Sequence, residues 1–439
     1  MGSYIPSTVS EREAMLASLG ISSADELFSA VPDEVRLKGL GLPDGISESE
    51  LRRTMEAIAS KNTRFPVIYR GAGAYHHYIP SIVKSVGSNE KFLTAYTPYQ
   101  AEINQGVLQS IFEYQTMICE LTGMDVSNAS VYDGAVAAAE AIVMCQDRRR
   151  SRALVSAGIN PETLKVVETY CDSRNIALSV LPLKDGVTDM DAVSSAIGED
   201  SACLLFQQPN YYGLFEDADA LTAAAHGGGA KCIMSVNPIA LGLIKTPGEC
   251  SADIAVGEGQ ALGLPLSFGG PYLGFMACRK ELMRKLPGRI VGQTSDAVGN
   301  RAFVLTLQAR EQHIRREKSS SSICSNQALC ALTSAVYMAS MGPDGMAELA
   351  ELCMSKSHYA AEKITQTKGF SLVYEKEFFH EFVTTCPIDS YALEELLAER
   401  GILGPLPLNE KKLLWCVTEL NSKVEIDALA AILEEVCGI

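Results

Sequence analysis

The chain has 439 residues, of which 47% are hydrophobic and 21% are charged, a composition that is ordinary for a compact globular protein of two or three domains. Its formal net charge is −16 and its pI is near 4.9. Because a nucleic-acid-binding surface has to be basic, this charge excludes a nucleic acid as the main partner.

Residues 1–60 are predicted to form three short helices that pack as an N-terminal helical arm rather than as a domain. Each helix is preceded by a Ser-x-x-Glu sequence, whose two side chains can satisfy free backbone N–H groups at the helix start. Large apolar residues are few in this segment, which argues against a core of its own. The three serine–glutamate pairs are Ser10 with Glu13, Ser23 with Glu26, and Ser47 with Glu50.

Residues 61–325 are predicted to form a large α/β domain, in which helices cover both faces of a mostly parallel sheet. The best amphipathic helix is 103–122, where apolar residues recur every three or four positions. Buried strands then alternate with helices. The predicted strands are 153–156, 178–182, 203–206, 232–236, 254–256 and 273–278, and the predicted helices are 161–171, 190–197 and 218–225.

Residues 326–439 are predicted to form a smaller C-terminal α+β domain. A charged stretch at 308–318 and a serine run at 319–322, interpreted as a short turn, mark the change of region. Two long helical patterns, 327–341 and 345–366, come first. A strand–strand–helix–strand–helix series follows, at 370–374, 379–385, 391–400, 413–418 and 426–436.

The thirteen cysteines are scattered singly, and none forms a Cys-x-x-Cys pair. This pattern predicts reduced thiols in the core and no metal site. The sequence opens without an apolar leader and contains no apolar span of 18 residues. The chain is therefore expected to be cytoplasmic, with no membrane partner.

A short apolar strand followed by a glycine-rich turn, within 251–274, is where enzymes built on pyridoxal phosphate (PLP) present the lysine that binds the cofactor. Here the turn carries Glu258, Gln260 and Leu262, and the next amine is that of Lys280. An amide cannot form an imine. We therefore expect this chain alone to bind no PLP.

The glycines at 257, 259 and 263 also suggest a dinucleotide-binding loop. Such a loop must open a helix, and Pro265 together with the Gly-Gly-Pro sequence at 269–271 excludes a helix here. A nicotinamide cofactor is therefore not expected.

Two other positions depart from a PLP site. Asp133 precedes a helix running through Met144, and its carboxylate occupies the helix start at which a cofactor phosphate could bind. Like charges repel, so a capped helix is favoured over a phosphate site. Asn237 ends the strand pattern at 232–236, where PLP enzymes place an aspartate against the pyridine nitrogen. With Gln260, three cofactor contacts are thus missing.

Two polar loops contain the candidate site residues. The loop at 71–80 carries Tyr75 and His77, and the segment at 94–106 carries Tyr96, Tyr99 and Gln100 before the amphipathic helix. Tyrosines in such positions can bind a ligand or simply pack, and the sequence leaves both open. The remaining histidines are isolated and are predicted to be structural: His226, His313, His358 and His380.

The sequence resembles the P-protein of the glycine cleavage system, a glycine dehydrogenase (decarboxylating), and most closely the alpha subunits of its two-subunit bacterial form. Asn237 departs from the aspartate that often occupies this position, and the serine run at 319–322 is richer in serine than is usual. The matching stretches, in order along the chain, are 71–80, 94–141, 208–217, 257–275 and 310–331.

The resemblance implies a fold-type-I PLP-transferase architecture and an aminomethyl-transferring glycine dehydrogenase that is active only with its beta subunit. PLP is expected on the beta subunit. Glycine would be decarboxylated there, and the aminomethyl group would pass to the lipoyl arm of the H-protein. Two alpha and two beta chains are expected. Tyr96, Tyr99 and Gln100, and then Tyr75 and His77, are expected to line the active site at the alpha–beta interface.

Two alternatives keep the same fold. The chain could be a non-catalytic scaffold or regulatory partner of a PLP enzyme. It could also be a PLP enzyme that uses Lys245 or Lys280, although Lys280 is predicted to begin a surface helix. A visible absorbance of the purified chain would favour the second of these.

Overall fold

The computed structural model describes residues 6–37 and 39–438. The chain divides into two compact units, residues 1–64 and residues 65–439. Residues 1–5 of the predicted arm lie outside the described residues. The further division of the second unit at residue 325 stays a prediction.

The first unit consists of short helices joined by extended segments, and neither of its α-helices has a buried residue. The predicted pair of Ser47 and Glu50 is confirmed, because each side chain accepts the backbone N–H of the other residue. Glu26 instead accepts the backbone N–H of Ser22, and Ser23 makes no side-chain cap. The helices are Val9–Ser18, the 3-10 helix Ala24–Phe28 and Glu48–Ala59.

The predicted cap of the first helix is wrong by two residues. Thr8, rather than Ser10, precedes the helix, and its hydroxyl accepts the backbone N–H of Glu11. The Glu11 carboxylate accepts the backbone N–H of Thr8 at 2.7 Å. Thr-x-x-Glu and Ser-x-x-Glu cap a helix in the same way, and the sequence contains both motifs two residues apart.

A seven-stranded sheet forms the centre of the second unit. Five neighbouring strands are parallel, and two antiparallel strands extend one edge. Separate apolar clusters pack against the two faces of the sheet. The predicted sheet is therefore confirmed. In spatial order its strands are Val126–Ser127, Gly274–Cys278, Ile254–Glu258, Lys231–Val236, Ser201–Gln208, Arg152–Ser156 and Ala177–Leu181.

Helices flank this sheet in the positions that the apolar periodicity predicted. The amphipathic helix begins at Gln105 rather than at Ile103, whose side chain is 71% exposed. The two long helical patterns join into one helix that breaks at Gly342, where φ is 64°. The α-helices are Ser81–Gly87, Glu90–Leu93, Gln105–Thr122, Gly134–Cys145, Pro161–Ser173, Met190–Ala196, Ala218–Gly227, Gln312–Arg315, Ala328–Gln366, Ser390–Glu399 and Lys423–Cys437.

The C-terminal part of the second unit contains a three-stranded antiparallel sheet in the order Glu381–Thr385, Lys412–Cys416, Leu406–Asn409. The strand predicted at 370–374 is wrong, because only Leu372 pairs with a neighbour, in an isolated bridge to Thr384. Two backbone hydrogen bonds flank this bridge, from Val373 N–H to the Val383 carbonyl and from Thr385 N–H to the Ser371 carbonyl, so the pairing is too brief to form a strand.

Three pairs of strands were not predicted, because short or polar strands give little apolar alternation. They are the hairpin Val291–Ser295 with Arg301–Leu305, the parallel pair Val67–Ile68 with Ile402–Leu403, and the short pair Leu183–Lys184 with Val187–Thr188.

All thirteen cysteines are free thiols, and ten of them are buried. This agrees with the predicted core role of the cysteines. Among the residues that the structure describes, no helix is long and apolar enough to cross a membrane.

Candidate functional site

A cavity of about 250 Å³ opens at the carboxyl ends of the parallel strands. In open α/β sheets this edge is where ligands bind, because loops and helix starts converge there. The lining combines amides, phenols and two carboxylates, and none of these described residues is basic. The lining residues are Gly73, Tyr75, Asp133, Gly134, Ala135, Asn160, Thr163, Gln207, Tyr211, Ser235, Val236, Asn237, Pro238, Glu258 and Tyr272.

The start of the helix Gly134–Cys145 faces this cavity and already holds two carboxylates. Asp133 Oδ1 accepts the backbone N–H of Val136 at 2.8 Å, which confirms the predicted cap. Glu258 Oε2 accepts the backbone N–H of Gly134 at 2.9 Å. Two of the free N–H groups at this helix start are therefore already paired with the chain's own side chains.

Glu258 was missed as a site residue by the sequence reasoning. Its other oxygen, Oε1, accepts the backbone N–H groups of Gln260 and Leu273 at 3.0 and 2.9 Å. Burial nevertheless raises the pKa of Glu258 to about 7, outweighing these hydrogen bonds. Gly134 is required beside it, because a Cβ there would lie 2.8 Å from the Glu258 backbone nitrogen.

Gln260, at the position expected for a lysine, is only 1% exposed and ties two loops together. Its Nε2 donates to the carbonyl oxygens of Tyr75 and Leu264 at 3.0 and 2.7 Å. Its Oε1 accepts the backbone N–H of Tyr75 at 2.8 Å. The amide thus holds the 71–80 loop against the turn that follows the strand Ile254–Glu258.

Asn237 stabilises the chain where the strand Lys231–Val236 ends. Its Oδ1 accepts the backbone N–H of Ile239 at 2.9 Å, and its Nδ2 lies 3.3 Å from Nε2 of His380. Burial lowers the pKa of His380 well below its ordinary value, so the ring is neutral. We assign Asn237 as the donor and His380 Nε2 as the acceptor.

These residues do not fit PLP. The helix start that would receive a phosphate is filled, because Glu258 occupies the backbone N–H of Gly134 and the Asp133 carboxylate would repel a phosphate. No described lining residue is basic. Gln260 offers no amine, and Asn237 cannot carry the negative charge that holds a pyridinium.

The two lysines considered as alternatives are also absent from the cavity lining. Lys245 is largely exposed and pairs with Asp219 at 2.6 Å. Lys280 is exposed and begins the 3-10 helix Lys280–Leu282, in which only Leu282 is buried.

Tyr75 and His77 belong to a buried polar cluster beneath the 71–80 loop. The Tyr75 hydroxyl donates to Oε2 of Glu381 at 2.8 Å, and His77 Nδ1 lies 2.7 Å from Oε2 of Glu419. The second nitrogen of His77, Nε2, is buried without a hydrogen-bond partner among the described residues. Tyr75 also lines the cavity.

His77, Cys353 and Glu419 place three possible metal-ligating atoms within 4.8 Å of one another. The Glu419 carboxylate already accepts from His77, from the Cys353 thiol at 3.4 Å, and from the backbone N–H of Tyr78. The three side chains are therefore already joined to one another by hydrogen bonds through the Glu419 carboxylate.

Tyr96, Tyr99 and Gln100 lie together in the segment that precedes the helix Gln105–Thr122. Tyr96 is 96% exposed, whereas Tyr99 packs in an apolar cluster and covers the guanidinium of Arg289 at 5.2 Å. Gln100 Oε1 accepts from Thr97. Among the described residues, no hydrogen bond or aromatic contact joins this group to Tyr75 or His77.

We predict that Glu381 makes the free energy of unfolding fall between pH 5 and 7.5. Burial raises its pKa from 4.5 to about 7, so the folded protein binds more protons than the unfolded chain between these values. The stabilising contribution is complete below pH 4.5 and is lost as the pH rises through 7. It amounts to about 3 kcal/mol.

Glu381→Gln should therefore reduce this pH dependence in urea unfolding curves measured from pH 5 to 7.5, and Glu258, whose pKa burial also raises to about 7, should account for part of the remaining slope. Glu410→Gln, at an exposed position, is the matched control and should leave the slope unchanged. Equal slopes for the parent and the Glu381→Gln chain would contradict the prediction.

Comparisons with known proteins agree with this geometry. A family model described as the glycine cleavage system P-protein matches residues 2–433. A probable glycine dehydrogenase (decarboxylating) subunit 1 of Moorella thermoacetica is 50% identical over 436 residues, which is 98% of each chain. A similar subunit of Desulforamulus reducens is 48% identical over 438 residues, again 98% of each chain.

A crystal structure of glycine decarboxylase (P-protein) of the glycine cleavage system, in inhibitor-bound form, superimposes with a TM-score of 0.94 at 40% identity. It covers 99% of this chain and 100% of the solved chain. The similarity extends, for the fold alone, to PLP-dependent enzymes of fold type I, which confirms the predicted fold class.

Proposed function

The chain belongs to the glycine cleavage system P-protein family and is a subunit of its glycine-decarboxylating enzyme, and we propose that it completes an active site whose PLP is held by the other subunit. The solved structures that share this fold are PLP-dependent enzymes. The naming of the relatives as subunit 1 implies a second subunit. The proposal assigns PLP to that second subunit, the beta subunit.

The observation that carries this proposal is the carboxylate of Glu258 at the helix start. A cofactor phosphate needs the same N–H group that Glu258 occupies, and no cation in the cavity lining offsets the two carboxylates. Gln260 and Asn237 support the proposal, since both are used in hydrogen bonds that hold loops in place.

The substrate and the further partner follow from the same proposal. Glycine would lose its carboxylate at the active site of the assembled enzyme. The lipoyl arm of the H-protein would receive the aminomethyl group there. The contribution of this chain is to bind, to orient and to exclude water at the edge of that site.

An exposed face near Tyr96 is the best candidate for the surface that meets the beta subunit. Leu93 and Leu329 are 51% and 45% exposed and line the same shallow groove, together with Pro98. Gln327, beside this groove in sequence, donates to the carbonyl oxygen of Tyr132, which adjoins the cavity. Exposed apolar side chains on one face are typical of subunit interfaces.

Within this proposal, Tyr96 would reach the active site across the interface. Its phenol has no partner among the described residues and could donate a hydrogen bond to a substrate carboxylate. Tyr99 and Gln100 would position the segment that carries Tyr96, through their contacts with Arg289 and Thr97. Tyr75 and His77 would hold the 71–80 loop at the cavity.

Reconstitution tests the proposal. Glycine–bicarbonate exchange should be measured with H-protein and with this chain alone, the beta subunit alone, or both. Exchange is expected only in the mixture. Exchange by this chain alone, or an exchange rate in the mixture equal to that of the beta subunit alone, would contradict the proposal.

A further inference from the structure

The first unit of the chain exposes an unusual amount of apolar surface. Between residues 9 and 58, fourteen large hydrophobic side chains are exposed, whereas the described residues from 65 to 438 expose sixteen. Few large apolar residues were expected here, and that expectation is wrong. The fourteen are Val9, Met15, Leu19, Leu27, Phe28, Val31, Val35, Leu37, Leu40, Leu42, Ile46, Leu51, Met55 and Ile58.

The unit has no core in which these side chains could be buried. None of its described residues from 6 to 64 is buried. Its α-helices have 10 and 12 residues. Helices shorter than about 12–15 residues are marginal in water unless an apolar face packs against something. Capping boxes at both helix starts stabilise the ends but leave that face open.

The helix Glu48–Ala59 shows the open face most clearly. Leu51, Met55 and Ile58 are spaced four and three residues apart, which puts them on one side of the helix. They are 50%, 55% and 53% exposed. Arg53 and Glu56 lie on the opposite side. This is the pattern of a helix that docks into an apolar groove.

We infer that residues 6–64 form an arm that packs against the beta subunit and anchors the two-subunit enzyme, an inference that rests on the proposed function. One buried aliphatic side chain removes roughly 60–120 Å² of apolar surface from water. Fourteen of them offer on the order of 1,000 Å², which matches the roughly 800 Å² per partner of a stable complex.

The position of the arm in the chain supports this partner. It ends at residue 64, directly before the 71–80 loop at the cavity, which is followed in the chain by the exposed face around Leu93 and Tyr96. The arm carries ten acidic and seven basic residues, a net charge of −3 that is small beside fourteen exposed apolar side chains, so apolar contact rather than charge would hold it. The beta subunit would therefore present an apolar groove.

A triple variant, Leu51→Gln with Met55→Gln and Ile58→Gln, tests the inference. Glutamine is a good helix former, so the helix itself is retained. We expect the dissociation constant for the beta subunit to rise at least roughly a hundredfold, since each lost anchor costs about tenfold or more. The control, Arg53→Ala with Glu56→Ala, changes the opposite side of the helix and should bind like the parent.

Two measurements on the isolated chain separate the other possible occupants of this face. The triple variant should keep the parent's thermal midpoint and the parent's oligomeric state in sedimentation. A lowered thermal midpoint would mean that the arm packs on its own chain, and a dimer that the variant disrupts would mean a second copy. Either result overturns the inference, as does unchanged affinity of the variant for the beta subunit.

Failure of the proposed function is distinguishable from failure of this inference. If the parent chain does not bind the beta subunit at all, the two-subunit proposal is wrong. If the parent binds and the triple variant binds equally well, only the role of the arm is wrong.

Discussion

Gln260→Lys is expected to give a less stable chain that still carries no covalently bound PLP. The lysine would be placed in a buried position, where an ammonium is costly to desolvate. An ammonium can still donate to the carbonyl oxygens of Tyr75 and Leu264, but it cannot accept the backbone N–H of Tyr75 as the amide now does. The unpaired N–H costs about 1–3 kcal/mol and the buried ammonium adds to this cost, so we expect a loss on the order of 4 kcal/mol in the free energy of unfolding.

PLP would still not bind to the variant, because the helix start remains filled by Glu258 and Asp133. Urea unfolding and the visible spectrum after incubation with PLP measure the two effects. Gln366→Lys, at an exposed position in the last turn of a helix, is the matched control and should be neutral in both. A stable Gln260→Lys chain that turns yellow and is labelled by borohydride at residue 260 would contradict the account.

Tyr96→Phe is expected to lower glycine turnover of the assembled enzyme at least roughly tenfold. Losing one hydrogen-bond donor at a catalytic site commonly costs about 10²–10³ in rate, and the smaller figure allows for a peripheral contact. The side chain is 96% exposed in this chain, so its removal should leave stability and assembly unchanged. Glycine–bicarbonate exchange and size-exclusion chromatography with the beta subunit measure the two properties.

Two further variants serve as controls for Tyr96→Phe. Tyr391→Phe, at an exposed position in the helix Ser390–Glu399, should behave like the parent. Tyr99→Phe keeps the ring packed in its apolar cluster, so the free energy of unfolding should stay within about 1 kcal/mol of the parent's. If Tyr96→Phe assembles and turns over like the parent, Tyr96 has no catalytic role and the scaffold interpretation gains support.

The sheet could be predicted because its signals are local. Five parallel strands are nearly continuous apolar runs, and helices with apolar stripes separate most of them. The cap at Asp133 was predictable for the same reason, since a carboxylate just before a helix satisfies N–H groups three residues away.

The rest of the site depends on contacts between residues that are distant in sequence. Glu258 meets Gly134 only because the strand Ile254–Glu258 ends beside a helix that starts 124 residues earlier. Asn237 meets His380 across 143 residues, although the sequence marked that histidine as isolated. A glutamate at a strand end looks like any exposed turn residue until the neighbouring helix is placed.

The environments of the candidate residues in the two polar loops could not be predicted from the sequence either. Both loops were recognised as dense in polar groups, but their environments differ. The Tyr75 hydroxyl donates a hydrogen bond to the buried carboxylate of Glu381, whereas Tyr96 is almost fully exposed. Periodicity distinguishes buried from exposed faces of a helix, whereas an irregular loop has no such period. The contrast between these tyrosines therefore came from the structure.

The location of PLP in the assembled enzyme tests the central claim most directly. The complex of this chain with the beta subunit should be reduced with borohydride, digested, and searched by mass spectrometry for the lysine that carries the reduced cofactor. The account predicts that all of the label lies on a lysine of the beta subunit and none on this chain. Stoichiometric label on any lysine of this chain would contradict it.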